Sequence, residues 1–294
     1  GHLRGRGSHG IVRERRPLEP ASNPNMSLRN ALDRLLSDLP ESIRISLWET
    51  LDRPDLRPGA RVMVAMSGGV DSSVTAALMS RLGFEVVGVS MQLFDKSPNA
   101  AAAGRCCTLD DFQDARRVAD QIGFPFYVMD FRDAFRQNVI EAFVASYARG
   151  ETPSPCISCN QYLKFDALIR TAEALGAAFV ATGHYARIVP TLSGLTLRKG
   201  RDLGKDQSYF LFASRQPQLA RILMPLGGLR KTDVRRLGHH LGLHLASKAE
   251  SQEICFVEEG RYDQFLERMG LRAQPGPFRY LRDGRVLGTH RGYW

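Results

Sequence analysis

Short apolar runs alternate along the chain with stretches whose apolar residues recur every three or four positions. Four runs have the length and flanking punctuation of buried strands: residues 61–66, 85–91, 126–130 and 178–182. Three stretches have helical spacing: residues 109–122, residues 162–175, and the segment with Phe135, Val139, Phe143 and Tyr147. Strands that alternate with helices indicate a mainly parallel sheet covered on both faces, so we predict an α/β, Rossmann-like fold.

The pattern differs on either side of this α/β region. Residues 28–51 predict a helical hairpin broken at Pro40, and residues 1–25 are expected to be disordered or upstream sequence. Beyond Gly183 the pattern favours a β-hairpin across Ser193-Gly194, then helices at 216–223, 231–241 and 262–269, and a hairpin around Asp283-Gly284. The predicted divisions are a leader (1–58), a nucleotide-binding catalytic domain (59–200), a mainly helical domain (201–272), and the start of an incomplete β-rich domain (273–294).

Composition narrows the class of protein. With 294 residues, of which 43% are hydrophobic, the chain can bury a sizeable core, and it has no run of about 20 apolar residues that would span a membrane. Its five cysteines are an odd number for a secreted disulfide framework, which favours reduced thiols in the cytoplasm. The formal charge of +9 suggests a polyanionic partner, although part of the excess lies in the arginine-rich leader.

The segment Ser67-Gly68-Gly69-Val70-Asp71-Ser72-Ser73 lies between a predicted strand and a predicted helix. Glycines at the carboxyl end of a parallel strand let backbone N–H groups approach an anion at a helix N-terminus, so this segment predicts a phosphate cradle. It is not a Walker A loop, because no lysine follows the glycines. The alternative is a Gly-Gly turn that only caps a helix with Asp71 or Ser72 in its first turn. We predict that residues 67–73 form a turn and that the helix continues from Val74 to Leu82.

A second candidate site is the segment 152–160, which contains Cys156 and Cys159 between prolines and a predicted helix. We expect Pro153 and Pro155 to prevent helix here and to leave Cys159 near the start of the helix at 162–175, where the positive end of the helix dipole favours a thiolate. Half of a zinc site is the alternative, but the sequence offers no second cysteine pair at suitable spacing. Cys255, about a hundred residues further on, is a third candidate thiol, or a packing residue. We expect the segment 249–259 around it to be an exposed, adjustable loop.

Together these segments resemble the bacterial tRNA-specific 2-thiouridylase family of the PP-loop superfamily, from about Arg61 to the C-terminus. The resemblance is carried by AMSGGVDSS, the pair Cys106-Cys107, TPSPCISCNQYLKF, ATGHYAR, KDQSYFL and SQEICF. It implies a HUP (adenine nucleotide alpha hydrolase-like) fold. It also implies that ATP, with Mg²⁺, adenylates the C2 oxygen of a wobble uridine, and that a persulfide sulfur then displaces AMP to give 2-thiouridine.

The resemblance also implies a role for individual residues. Cys159 matches the nucleophile, and Cys255 the cysteine that carries the persulfide. The implied ATP-binding residues are Ala65, Met66, Ser67, Gly68, Gly69, Val70, Asp71, Ser72, Met91 and Gly183. The residues implied to meet the target base or tRNA are Ser154, Pro155, Cys156, Lys205, Asp206 and Gln207. The implied partners are tRNA and a persulfide-donating sulfur relay protein or cysteine desulfurase, with no membrane.

Several interpretations stay open at this point. His184 is expected either to touch nucleotide or RNA, or to stabilise its loop. Some family members have Asp where this chain has Cys156, and three neighbouring cysteines could instead ligate an iron-sulfur cluster. The competing functions are another PP-loop ligase, in which ammonia attacks the adenylate, and an RNA-binding protein that carries a metal and has no turnover.

Overall fold

The computed structural model describes residues 26–94, 109–248, 254–257 and 261–292. The predictions for residues 1–25 and for Cys106 and Cys107 lie outside these residues. Within them the strands are β1 (Arg61–Ala65), β2 (Glu85–Gln92), β3 (Phe126–Asp130), β4 (Phe179–Ala181), β5 (Ala186–Thr191), β6 (Gly194–Lys199), β7 (Ile222–Leu223), β8 (Gly276–Arg279) and β9 (Val286–His290).

The α-helices of the same residues are α1 (Leu28–Leu35), α2 (Glu41–Leu51), α3 (Val70–Arg81), α4 (Leu109–Ile122), α5 (Arg132–Phe135), α6 (Glu141–Ala148), α7 (Pro155–Ser158), α8 (Leu168–Ala174), α9 (Gln216–Arg221), α10 (Lys231–His240) and α11 (Tyr262–Arg268). Two π-helical segments, Arg136–Ile140 and Cys159–Ala167, join α5 to α6 and α7 to α8. Two short 3₁₀ turns are Ser208–Leu211 and Pro225–Gly228.

Five strands form a parallel sheet in the order β3-β2-β1-β4-β7. The chain runs outward from β1 through β2 to β3 and then returns to β4 on the other side of β1. This reversal opens a crevice outside the carboxyl ends of β1 and β4, the position at which open α/β sheets bind ligands. The α/β, Rossmann-like prediction is therefore confirmed.

Both faces of this sheet are covered along β1, β2 and β4, which explains why these strands are continuous apolar runs, whereas the edge strand β3 exposes Tyr127 and Val128. Along β1, Val62 and Val64 face a large core built with α1, α2, α3, α4 and α10, while Met63 faces a smaller core built with α8. All three side chains are fully buried. The alternation follows from the two-residue period of a strand. It anchors β1 on both of its faces up to Ala65, where the chain leaves the sheet.

Three predictions of local structure were wrong. The helix after the glycines begins at Val70 rather than Val74, because Gly69 is already the N-cap and its carbonyl accepts from the Ser73 N–H at 3.2 Å. A helix also begins at Pro155, since proline is tolerated in the first turn, where its missing N–H has no partner to lose. Finally, Ile222–Leu223 pairs with β4 as a fifth strand instead of extending α9.

The hairpin predictions were correct in kind. β5 and β6 pair across Leu192 and Ser193, one residue earlier than predicted, and β8 and β9 pair around the predicted Asp283-Gly284. The large core contains residues of α10, Leu243 and Leu245 together with residues of β1. No helix within the described residues is both long and apolar enough to cross a membrane.

Candidate nucleotide and thiol site

The segment after β1 forms a tight loop stabilised by its own serines. The Ser67 N–H donates to Ser72 Oγ at 3.1 Å, and the Ser72 hydroxyl donates to the Gly69 carbonyl at 3.2 Å. Ser67 is exposed, whereas Ser72 is buried beneath the loop. The loop therefore presents its backbone at the N-terminus of α3, as an anion cradle requires.

Two glycines bring the surrounding backbone against this loop. Gly68 has φ +71°, and a Cβ there would collide with the backbone of Asp111 at the start of α4. A Cβ on Gly183, which follows β4, would lie 2.8 Å from the Asp71 carbonyl carbon and 2.9 Å from the Ser72 nitrogen. The chain after β4 thus touches the first turn of α3, and the predicted ATP-binding residues around Gly68 and Gly183 meet at one crevice. Ala65 and Met91, at the ends of β1 and β2, lie half-buried at the same edge of the sheet.

Asp71 is held by two side chains that the sequence analysis did not single out. The Lys231 ammonium donates to both Asp71 carboxylate oxygens at 2.7 and 2.8 Å, and the Tyr185 hydroxyl donates to Oδ1 at 2.8 Å. Lys231 is 9% exposed, and its backbone N–H donates to Asp202. A buried cation therefore stands directly beside the predicted phosphate cradle.

A second cation joins the loop to α4. The Lys248 ammonium donates to the Gly68 carbonyl at 3.0 Å, to Asp111 at 2.8 Å and to Asp114 at 2.6 Å. Burial lowers the pKa of this ammonium, but the hydrogen bonds to the two carboxylates outweigh it, so its pKa is raised above the usual value. Lys248 therefore remains charged at neutral pH and fixes the loop against α4.

The two cysteines of segment 152–160 lie on one continuous helix. Cys156 is exposed in its first turn, whereas Cys159 lies one turn further along and is buried. The Cys159 N–H is already bonded to the carbonyls of Pro155 and Cys156. The expectation that Cys159 lies near a helix start is thus wrong, because the helix begins four residues before it, beyond the first turn to which the dipole effect is confined.

Cys159 and Cys255 belong to the same apolar cluster. Cys159 is one of its buried members, and Cys255, half-buried, packs against it. Phe256, next to Cys255, is 8% exposed and makes edge contacts with the rings of Phe135 and Phe143. The structure thus brings together two thiols about a hundred residues apart in sequence.

The predicted exposed, adjustable loop at 249–259 is only partly testable. Residues 249–253 and 258–259 lie outside the described residues. Phe256 and Val257 are buried, so the prediction is wrong at these positions, where aromatic packing holds the chain. Met91, at the end of β2, packs against the same cluster, which connects the thiols to the carboxyl edge of the sheet.

The described part of the chain contains no group of three or more His, Cys, Asp or Glu side chains placed to hold a metal ion. Cys156, Cys159 and Cys255 are therefore not gathered here as a ligand set. The arrangement is unlike what an iron-sulfur cluster bound by all three cysteines requires.

His184 lies beneath the crevice rather than in it. Its ring is 8% exposed, Nδ1 is 2.9 Å from the Thr182 hydroxyl, and the Phe165 ring packs edge-on against it. Burial, together with repulsion from the Lys164 ammonium, lowers the pKa of His184 to about 3. Of the two interpretations of this histidine, the geometry favours the one in which it stabilises the loop after β4.

The predicted tRNA-contacting segment 205–207 is largely occupied by internal hydrogen bonds. Asp206 accepts from the backbone N–H of Gly200 at 2.8 Å and from the Ser208 hydroxyl at 2.8 Å. The Gln207 side-chain oxygen accepts from the Tyr185 N–H at 3.0 Å. Lys205, Asp206 and Gln207 are all half-buried, as is Ser154, whereas Pro155 is buried.

Lys231, Tyr185 and Lys248 are the residues of this site that sequence reasoning missed. Lys231 is 160 positions from Asp71, and neither residue carries a local pattern that predicts the contact. The sequence carries no local signal for this contact, because tertiary packing places the first residue of α10 beside Asp71.

Residues 60–259 match the family model described as tRNA methyl transferase HUP domain. The tRNA-specific 2-thiouridylase MnmA of Geobacter metallireducens is 54% identical to this chain over 237 residues, covering 79% of this chain and 64% of that protein. The MnmA of Parvibaculum lavamentivorans is 51% identical over 244 residues, covering 83% of this chain and 61% of that protein. The chain thus spans about three fifths of the length of these curated relatives.

Among solved structures, the chain is similar to the U34-tRNA thiolase NcsA from Methanococcus maripaludis, with 16% sequence identity and a TM-score of 0.48. That similarity covers 78% of this chain and 71% of the other. It is too distant to transfer a site residue from one chain to the other.

Proposed function

We propose a function from the family to which this chain belongs, the tRNA-specific 2-thiouridylases matched by the tRNA methyl transferase HUP domain model. In this proposal the chain carries out ATP-dependent 2-thiolation of the wobble uridine of tRNA. The observation that carries the proposal is the placement of two features in one fold. The predicted anion cradle lies at the carboxyl edge of the parallel sheet, and an apolar cluster with two thiols packs against Met91 at that same edge.

The cradle fits the phosphates of ATP. Because Gly68 and Gly183 have no Cβ, the backbone of Asp111 and of Asp71–Ser72 can pack directly against them, which holds the loop rigidly at the N-terminus of α3. In our proposal the N–H groups of residues 67–70 and the Ser67 hydroxyl bind phosphate oxygens. Asp71 would hold Mg²⁺ in place of the Lys231 ammonium, its partner in the structure. Met91 and Gly183 would flank the adenine.

The first chemical step is attack of the uridine C2 oxygen on the α-phosphorus of ATP, with pyrophosphate as the leaving group. This step turns a poor leaving oxygen into an adenylate. The buried Lys231 ammonium beside the cradle supports it, because a positive charge there stabilises the charge that develops on the departing phosphates.

The second step transfers sulfur. The terminal sulfur of a persulfide on Cys255 attacks C2, and AMP leaves. Cys159 then attacks the Cys255 sulfur and releases 2-thiouridine, so that two thiolates are oxidised to a disulfide as the transferred sulfur is reduced. A thiol reductant and a persulfide-donating relay protein or cysteine desulfurase complete the cycle, and the proposed compartment is the cytoplasm.

Separating the two steps tests this assignment. Cys255→Ser is expected to form AMP from ATP in the presence of tRNA but no thiouridine, whereas Asp71→Ala forms neither. Asp120→Ala, at an exposed carboxylate of α4, is the matched control and retains both activities. Full thiolation by Cys255→Ser would exclude Cys255 as the sulfur carrier.

A further inference from the structure

Two aromatic rings stand out from the surface directly after the segment 205–207. Tyr209 is 66% exposed and Phe212 is 65% exposed, and their ring centroids are 6.4 Å apart. Both belong to residues 208–212, which we call the aromatic turn. Large exposed rings are costly to leave in water, so a pair of neighbouring rings calls for a partner.

The aromatic turn is anchored from beneath. Leu211 is 1% exposed and packs in an apolar cluster with Phe165 and Ile188. Asp206 accepts from both the N–H and the hydroxyl of Ser208, and the Gln207 carbonyl accepts from the Phe210 N–H at 3.0 Å. The two rings are therefore presented by a preorganised turn, and the polar residues before it serve to hold it.

The aromatic turn lies beside the cysteine helix. The buried Asn160, which follows Cys159, donates from Nδ2 to the Phe210 carbonyl at 3.5 Å. Helix α7, with Cys156 exposed on it, packs against the turn. The aromatic turn is thus held next to the helix that carries Cys156 and Cys159.

The charge around the aromatic turn favours a polyanion. From residue 198 to residue 215 the chain carries five basic side chains: Arg198, Lys199, Arg201, Lys205 and Arg215. The same stretch has two carboxylates, Asp202 and Asp206, so positive charges exceed negative ones by three; one of the five, Arg201, also lies 4.0 Å from the Glu49 carboxylate. A protein partner with an apolar surface would not need this excess of positive charge, whereas a nucleic acid backbone does.

We infer that Tyr209 and Phe212 form a stacking platform for unpaired bases of the RNA substrate that flank the reacting uridine. The inference rests on the proposed function. It moves the RNA contact from residues 205–207 to the two rings of the aromatic turn. Asp206 and Gln207 position the turn, and the two rings touch the RNA. Stacking on aromatic rings is independent of base identity, because every base has a π-face.

The test measures binding of a fluorescein-labelled anticodon stem-loop RNA by anisotropy, without ATP. Tyr209→Ala and Phe212→Ala are each expected to weaken binding roughly five- to a hundred-fold. The slope of log affinity against log salt should stay unchanged, since no phosphate contact is lost. Tyr127→Ala, at a 51% exposed ring on β3, should bind as the unaltered chain does.

Conservative variants separate stacking from simple loss of structure. Tyr209→Phe should retain affinity, whereas Tyr209→Leu, which keeps apolar bulk but has no π-face, should lose it. In turnover assays the KM for tRNA should rise while the KM for ATP does not change. Unaltered affinity in Tyr209→Leu and Phe212→Leu overturns the platform and leaves the proposed function intact. Absence of RNA binding by the unaltered chain overturns both.

Discussion

At the scale of single residues, the central feature is the contact between Lys231 and Asp71. The Lys231 side chain is 11% exposed and the Asp71 side chain 28% exposed, so neither is fully hydrated. Removing one partner of such a pair leaves the other charge poorly solvated, which costs more than the intact pair contributes. The contact therefore couples the position of α10 to the predicted phosphate cradle.

The first prediction follows from this pair. Lys231→Met is expected to destabilise the fold by about 1–3 kcal/mol, because the Asp71 carboxylate loses its charged donor. The double variant Lys231→Met/Asp71→Asn should recover part of that loss. Urea unfolding of the single and double variants measures it, and strictly additive losses would show that the two side chains are energetically independent.

A second prediction concerns His184, whose pKa is lowered to about 3 from an ordinary value of 6.5. Between these two pH values His184 is protonated in the unfolded chain but not in the folded chain. This histidine therefore lowers the free energy of unfolding as the pH falls from 6.5 toward 3. Its contribution is at most about 1.4 kcal/mol per pH unit.

In His184→Gln this contribution is absent, so the difference in unfolding free energy between variant and parent should change with pH between 7 and about 4. Urea unfolding at three pH values within this range measures the difference. A difference that does not depend on pH contradicts a neutral, buried His184 and favours a histidine that titrates in solvent.

At the scale of elements, the sequence predicts those helices and strands that are determined by a local pattern of apolar residues. The strands β1 to β3 and helix α4 were found because their apolar residues recur with the periods of a strand and a helix. β7 was missed because two residues have no detectable period, and only pairing with β4 makes Ile222–Leu223 a strand. The helical turn that begins at Pro155 was not predicted, because proline interrupts a helix in its interior although it is tolerated in the first turn.

The candidate site shows the same limit. The glycine loop and the cysteine segment 152–160 were recognisable as candidate sites because each is contiguous in sequence, although the helix in the second was missed. Lys231 and Lys248 were not, since each reaches the loop from more than 150 residues away, and tertiary packing alone creates the contact. The sequence therefore predicts the candidate ligand-facing segments but not the side chains that hold them.

A prediction at this scale tests the approach of the chain after β4 to α3. In Gly183→Ala the added methyl lies within 3 Å of the Asp71 and Ser72 backbone, so the two segments must separate. We expect a loss of about 1–3 kcal/mol in unfolding free energy and a loss of ATP-dependent AMP formation. Gly288→Ala, where the methyl has its nearest neighbour at 3.9 Å, is the control for both measurements. Unchanged activity in Gly183→Ala contradicts a nucleotide site at this crevice.

At the scale of the whole molecule, the sheet edge and the thiol cluster are joined into one catalytic unit in our account. Cys159 and Cys255 lie in one apolar cluster, Met91 packs against it, and the aromatic turn flanks the cysteine helix. The chain spans about three fifths of the length of its curated relatives.

The relay between the thiols makes a prediction for the enzyme after one turnover without reductant. Formation of a disulfide requires the Cα atoms of Cys159 and Cys255 to come within about 4.4–6.8 Å. Peptide mapping of the quenched enzyme is expected to recover a Cys159–Cys255 disulfide. Recovery of both cysteines as thiols, or of Cys159 joined only to Cys156, contradicts the relay.

The most direct test of the central claim is mass spectrometry of tRNA nucleosides after incubation with the full chain, ATP, Mg²⁺ and a persulfide donor. The account predicts 2-thiouridine at the wobble position, formed with AMP in equal amounts. It also predicts that the product is absent when ATP is omitted or when Cys159 is replaced by serine. Wobble uridine that stays unmodified while ATP is converted to AMP, or thiouridine formed without ATP, would contradict it.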